Sequence, residues 1–331
     1  MSGRDTLVFT RRDVQALLGL EECIIAVEAA FRLHAEGRSL APAILGVPAG
    51  EGGFHVKAAG LDLGRRYFAA KTNANFPGNP RKHGLPAIQG VIVLCDADDG
   101  RVLAVMDSME VTTRRTAAAT AVAAKRLARA ESATATICGC GTQGRAQLRA
   151  LARVLPLRRA YAFDTDPAAV RAFVDELSAE LEIEILPAVA LAQAVGKSDV
   201  CVTCTPSRAP LLFRGDVRPG TFVAAVGADS PEKQELDPLL MAAAVVVVDV
   251  LDQCASIGDL HHALEAGALT REDVHADLAS VTTGRKPGRQ SAAEITIFDS
   301  TGTALEDVAA AAVVYEKALA ARMGLSVSLG R

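Results

Sequence analysis

At 331 residues the chain is long enough for two domains with sizeable cores; 50% of it is hydrophobic but only 4% aromatic, with no Trp, a composition suited to close packing of helices on a sheet. A net charge of -4 argues against a nucleic-acid partner, and the longest strongly apolar run, 242–250, is too short to cross a membrane. Seven cysteines, odd in number and scattered, read as reduced thiols, and with no basic-then-apolar leader the expected location is the cytoplasm.

Apolar residues at helical spacing predict helices over 10–19 (Val14, Leu17, Leu18) and 21–37 (Ile24, Val27, Ala30, Phe31, Leu33), with Thr10 as an N-cap and Gly37 as a C-cap. From 41 to 107 the texture changes to short β-like runs: Ile44 to Val47, Phe54 to Ala58, Tyr67 to Thr72, Ile88 to Leu94 and Val102 to Met106. Asp98-Asp99-Gly100 is a hairpin turn between the last two. Residues 73–86, with three prolines and two glycines, read as a loop of the kind that carries function. A long alanine-rich helix is predicted over 109–130. Strands then fall near 135–138, 160–163, 183–185, 200–203, 222–226, 244–248 and 295–297, with helical patterns between most of them. That alternation is the signature of a parallel sheet with helices on both faces, a doubly wound α/β fold. A last helix spans 305–323. The block 284–289, with two glycines and one proline, is the candidate crossing between domains.

The stretch from Ala135 to Gly144 organises the rest. A short apolar run meets a glycine-rich turn, and an apolar-periodic segment follows (Ala146, Leu148, Leu151, Ala152, Leu155). In Gly139-x-Gly141-x-x-Gly144, Gly139 allows a tight turn and Gly141 lets backbone approach a phosphate. The helix that opens at Thr142, Gln143 and Gly144 offers N–H groups and the positive end of its dipole. Asp164 closes the next strand, 20 residues past Gly144. A carboxylate there accepts hydrogen bonds from both adenosine ribose hydroxyls and repels a 2′-phosphate, so NAD(H) is expected in preference to NADP(H). The plainer alternative is an ordinary strand–helix turn with a surface aspartate. Cys201 and Cys204 have CxxC spacing inside an apolar run, and Cys138 and Cys140 flank a glycine; all four read as packing residues, and no metal site is expected.

Ligands of open α/β sheets bind at the carboxyl ends of strands. Three polar loops follow strands on this reading: Thr205-Pro206-Ser207, Gly227-Ala228-Asp229 and Asp299-Ser300-Thr301-Gly302. Asp229 is either an acid/base beside a nicotinamide or a helix N-cap. Lys71 ends a β-like run, and Arg114 and Arg115 sit in an apolar helix. Such cations snorkel or clamp a substrate carboxylate.

With these residues the chain resembles the ornithine cyclodeaminase/mu-crystallin family over most of its length. The resemblance is carried by Lys71 with Phe76-Pro77-Gly78-Asn79-Pro80, Gly84-Leu85-Pro86-x-x-Gln89-Gly90, and Arg115-Thr116-Ala117-Ala118-Ala119. It continues through Gly139-x-Gly141-x-Gln143-Gly144, Val226-Gly227-Ala228-Asp229-x-Pro231-x-Lys233-x-Glu235-Leu236, Ile297-Phe298-Asp299-Ser300-Thr301-Gly302 and Leu305-Glu306-Asp307. It implies a Rossmann domain (126–302) inserted into an α+β substrate and dimerisation domain (1–125 plus 303–331), in a homodimer. Lys71 and Arg115 match positions that hold the substrate carboxylate and its amino or imino group, with Lys71 also counted among the catalytic residues. Asp229 matches the catalytic acid/base. Val226, Gly227, Lys233 and Ser300 match cofactor-contacting positions, with Thr205 placed beside them, and Thr301 lies where substrate and nicotinamide meet.

The chain also departs from the family's ornithine pattern. Ornithine cyclodeaminases carry a glutamate shortly before the lysine that receives the distal ammonium, where this chain has Phe54-His55-Val56-Lys57. An arginine of many members is replaced by Pro42-Ala43-Ile44, and a frequent threonine by Ala87. If Lys57 faces the substrate it repels a distal ammonium and favours a second carboxylate; strand alternation equally allows it to point to solvent. The resulting expectation is an NAD(H)-dependent imine reductase or amino-acid dehydrogenase acting at the α-carbon of an amino or imino acid. The alternatives are an ornithine or lysine cyclodeaminase and, from another class, a mu-crystallin-like cofactor-dependent binder of small ligands.

Overall fold

A computed structural model describes residues 5–329. The chain divides at Arg115/Thr116 and at Gly302/Thr303 into two compact units, the second interrupting the first in sequence. The first crossing lies inside the helix Ser108–Leu127, which also contains the expected boundary near 125. The block 284–289 is not a crossing. It lies inside the second unit, where a Cβ on Gly288 would collide with the carbonyl of Arg126. Arg289 donates from its backbone to the Arg126 carbonyl at 2.9 Å and from Nε to the Leu127 carbonyl at 2.7 Å. Its glycine serves close packing against a helix end, not a linker.

The first unit is built on a seven-stranded sheet in the order Leu325–Val327, Thr6–Phe9, Val102–Asp107, Ile88–Asp96, Arg66–Asn75, Gly52–Asp62, Ser39–Ala49. The strands are longer than the apolar runs because the residues that extend them at their ends, such as Gly52, Gly60, Asp62, Asn73 and Asn75, are polar or small. Helix Arg11–Leu17 starts in a capping box between Thr10 and Asp13, and Gly37 takes a left-handed φ of 73° after helix Leu20–Ala35. Residues 73–75 finish a strand, and helix Asn79–His83 interrupts the loop that follows. Helix Ala304–Ala321 packs across strands Gly52–Asp62 and Arg66–Asn75 and against Leu20–Ala35. Its run Ala309 to Ala312 is buried, and small side chains let helix and sheet approach closely. Side chains 57, 59, 61, 67, 69 and 71 are buried. They share the face under that helix, by the period-two rule.

The second unit carries an eight-stranded sheet in the order Ala276–Asp277, Val245–Val248, Thr296–Asp299, Phe222–Ala225, Val200–Thr203, Thr134–Cys138, Arg159–Phe163, Glu184–Pro187. Every pair of neighbours is parallel. Strands Val200–Thr203, Phe222–Ala225 and Thr296–Asp299 are buried at every position, which is why they show no alternation of apolar and polar residues. The strand order reverses between Thr134–Cys138 and Val200–Thr203. That switch point is where doubly wound sheets open a crevice for ligands. No helix among the described residues is long and apolar enough to cross a membrane.

Candidate functional site

The glycine-rich turn leaves the sheet at the switch point. Gly139 has a φ of 106°, and a Cβ there would meet the Cys204 carbonyl at 2.8 Å. A Cβ on Gly144 would strike the Gly139 carbonyl, so Gly144 lets helix Thr142–Val154 pack onto its own strand. Gly141 differs from both: nothing lies within 4 Å of where its Cβ would be. It is the N-cap of that helix and supplies no side-chain acceptor, and the Gln143 Oε1 nearby is buried without a partner. Open space beside a glycine, facing the first turn of a helix, suits a pyrophosphate. Asp164 closes the neighbouring strand Arg159–Phe163; its Oδ2 accepts from the Cys140 N–H at 2.7 Å and its Oδ1 from the Asp166 N–H at 3.0 Å. The carboxylate is thereby locked beside the turn, with lone pairs to spare for ribose hydroxyls.

The loops after the adjacent strands hold Thr205, Gly227, Asp229, Ser300 and Thr301. Asp229 is half-buried and caps no helix: the chain runs from it through a turn into strand Gln234–Leu236. Its Oδ1 pairs with Lys233 Nζ at 2.6 Å, and the Lys233 carbonyl meets His262 Nε2 at 2.8 Å. Thr301 Oγ1 donates to Asp249 at 3.1 Å and receives Gln253 Nε2 at 2.7 Å, while the Gly302 N–H reaches Asp249 Oδ2 at 2.6 Å. Cys201 and Cys138 are buried, and burial raises the thiol pKa of both. They are packing residues as expected, and all seven cysteines are unbridged.

The first unit holds a buried ionic cluster of its own. Lys57 and Lys71 stand opposite each other in the antiparallel ladder, so both point under helix Ala304–Ala321. Lys57 is only 6% exposed, which removes the solvent-facing alternative. Lys71 Nζ donates to Asp307 Oδ1 at 2.8 Å; Arg115 donates from Nε to Asp307 Oδ1 at 3.0 Å and from Nη1 to Glu306 Oε2 at 2.7 Å. Burial, then Arg115 and Lys57, push the Lys71 pKa down to about 7, against the pull of Asp307. Burial works against ionisation of Asp307, but Lys71 and Arg115 hold its pKa below the usual carboxylate value. An ammonium with a pKa near neutrality can both bind an anion and exchange a proton.

Sequence reasoning named Lys71 and Arg115 but gave no role to Glu306 or Asp307, and none to Glu235, Asp249, Asp259 or Asp299. The available signals for the first pair were the motif Leu305-Glu306-Asp307 and the capping box from Thr303 to Glu306, neither of which names the cations they face.

The family model for the ornithine cyclodeaminase/mu-crystallin family matches residues 4–322. Among solved structures, an archaeal alanine dehydrogenase dimer with bound NAD is 40% identical, with a TM-score of 0.94 over 98% of this chain and 99% of that one. The Delta(1)-pyrroline-2-carboxylate reductase of Thermococcus litoralis, in complex with NADH and L-proline, is 33% identical with a TM-score of 0.93, covering 97% and 100%. The iminosuccinate reductase of Paracoccus denitrificans, in complex with NAD+, is 32% identical with a TM-score of 0.90, covering 98% and 99%.

Proposed function

We propose, for a chain that belongs to the ornithine cyclodeaminase/mu-crystallin family, that it interconverts an α-amino acid and its imino acid and prefers a side chain bearing a second carboxylate. The chain is an NAD(H)-dependent enzyme acting at the α-carbon of an amino or imino acid. When bound, the nicotinamide takes up or returns the hydride at that carbon. The open position beside Gly141 and the locked Asp164 fit the dinucleotide, with Thr205, Val226, Gly227, Lys233 and Ser300 along the same strand ends.

The observation that carries this reading is the buried set of Lys71 and Arg115, oriented by Asp307 and Glu306. A guanidinium offers five donors in a rigid fork and an ammonium three, so both groups can hold a carboxylate in a fixed pose. Lys71, with its pKa near 7, also donates to or accepts from the substrate nitrogen. Asp229 gives the proton that turns imine into amine, or takes it in the reverse direction and activates the water that hydrolyses the imine. Lys57 receives the second carboxylate, and Thr301 contacts the substrate. The enzyme works as a homodimer through the outward face of the seven-stranded sheet, where Leu45, Val47, Phe54 and Val91 are 60%, 46%, 40% and 45% exposed. Its unbridged thiols suit the cytoplasm.

The test is a panel followed by NADH absorbance in both directions: alanine, aspartate, ornithine and lysine with NAD, and oxaloacetate or pyruvate with ammonia, or cyclic imines, with NADH. Fastest turnover on the dicarboxylic pair supports the reading. Efficient conversion of ornithine to proline and ammonia rejects the side-chain preference. NADH binding with no turnover on any member returns the chain to the binding-protein alternative.

A further inference from the structure

At one edge of its sheet the second unit buries Glu235, Asp249, Asp259 and Asp299, each at most 1% exposed. Glu235 does what no single loop can do for itself. Its Oε1 accepts from the Thr205 backbone N–H at 2.6 Å and the Thr205 hydroxyl at 2.8 Å, and its Oε2 from the Gly227 N–H at 2.9 Å. Thr205 follows strand Val200–Thr203 and Gly227 follows Phe222–Ala225, and these strands are neighbours. One carboxylate therefore ties together two loops that leave the same edge. Gly227 has no side chain for this reason: a Cβ there would lie 2.5 Å from the Glu235 carboxyl carbon and 2.5 Å from the Thr205 carbonyl oxygen. The clamp is itself anchored. The N–H groups of Glu235 and Leu236 both donate to Asp259 Oδ1 at 2.8 Å, and those of Asp259 and Leu260 donate to Asp299 at 3.3 and 2.9 Å.

We propose that Glu235 is a positioning residue that sets Thr205 and the Gly227-Ala228-Asp229 loop for cofactor binding and proton transfer. The inference rests on the reading of Asp229 as the acid/base. Three donors converge on one side chain, so the site demands an acceptor-only group. An amide cannot serve, because its NH2 must face either the Thr205 or the Gly227 backbone N–H. The titratable groups facing Glu235 are Asp259 and the thiols of Cys138, Cys201 and Cys204. Burial raises the pKa of the thiols, which keeps them neutral, and that of Asp259 to about 6. Burial first, and Asp259 second, raise the pKa of Glu235 to about 7. Ionised, Glu235 accepts all three bonds. Protonated, it has one acceptor position fewer for the three donors, so the clamp is complete above about pH 7 and loosened below it.

The experiment compares Glu235→Gln with wild type in the full-length protein. It reads the NADH dissociation constant by fluorescence from pH 6 to 9, kcat and KM on the best panel substrate, and thermal unfolding. An unsatisfied buried backbone donor should weaken NADH binding at pH 8 by about tenfold and lower kcat by about tenfold or more. Substrate KM should stay within about threefold, because Lys71 and Arg115 are untouched. Wild-type NADH affinity should rise from pH 6 to 8 and that of Glu235→Gln should not. A lowered unfolding temperature with NADH affinity and kcat within twofold of wild type would overturn the proposal, as would an unchanged pH dependence, which would belong to Asp259. If Glu235→Gln does not fold, Glu235→Asp keeps the charge and withdraws the carboxylate by one methylene; weakened NADH binding supports the clamp and unchanged binding overturns it. Near-native turnover of Asp229→Asn would defeat the acid/base reading separately, whatever NADH binding to Glu235→Gln shows.

Discussion

Lys57→Met tests the substrate reading directly. Lys57 lies opposite Lys71 in the ladder, which puts their Cβ atoms about 4.5–5.5 Å apart. With Lys57 only 6% exposed, the proposed contact to a substrate carboxylate would be made away from bulk water. A charge-assisted hydrogen bond in that setting is worth about 1.5–3 kcal/mol, or about 10- to 150-fold in kcat/KM. Methionine keeps the length and removes the charge. The loss should fall on the dicarboxylic member of the pair, aspartate or oxaloacetate with ammonia, while alanine or pyruvate with ammonia stays within about threefold. A second consequence follows from charge. Lys57 is among the groups that depress the Lys71 pKa, after burial and Arg115, so its removal should raise that pKa from about 7. Lys71 is charged below its pKa and neutral above it, and in the proposed role the charged form would hold the α-carboxylate better. The rise in KM with pH should therefore begin at higher pH in the variant than in wild type. Equal losses on both substrates, together with an unmoved pH profile, would refute the reasoning.

Asp229→Asn should lower turnover by about a hundredfold or more with little change in NADH affinity, and turnover near wild type would remove Asp229 from the chemistry. Asp164 should make NAD(H) bind more tightly than NADP(H) at fixed salt, with Asp164→Ala narrowing the gap; equal affinities in wild type would contradict it. Asp307→Asn breaks a buried ion pair and should cost about 3–5 kcal/mol of unfolding free energy near pH 6, measured by denaturant titration followed by circular dichroism. Lys71 can shed its proton above about pH 7, so the cost should shrink toward pH 9, whereas a pH-independent loss would place the effect in packing. In the wild type, with its pKa lowered from 10.5 to about 7, Lys71 opposes folding fully below about 7, and that opposition is relieved as pH rises to about 10.5. Asp307, with a lowered pKa, contributes stability that is present above the ordinary carboxylate range and lost only as pH falls through its folded value.

What the sequence determined by itself is local. Strands such as Val200–Thr203 are legible because burial on both faces writes an unbroken apolar run. The turn at Gly139-x-Gly141-x-x-Gly144 is legible because a left-handed φ at Gly139 and close approaches at Gly139 and Gly144 each require glycine within one short stretch. The strands of the first unit are only partly legible, since glycines and polar residues such as Gly52, Gly60, Asp62 and Asn73 cut the apolar runs short of the strand ends. What tertiary structure decided is which remote groups share a low-dielectric space. Lys57 alternates between two faces in any reading of its own strand, and only its register with Lys71 shows that it points inward. Asp307 reads as a helix first-turn acid until the fold brings it to Lys71, 236 positions away. Glu235 belongs to a recognisable motif but has no assignable role until two neighbouring loops turn their N–H groups toward it. The burial of a charge and the partners that satisfy it depend on chain segments far apart in sequence, which is why the ionic cluster and the carboxylate clamp appear only once the chain is folded.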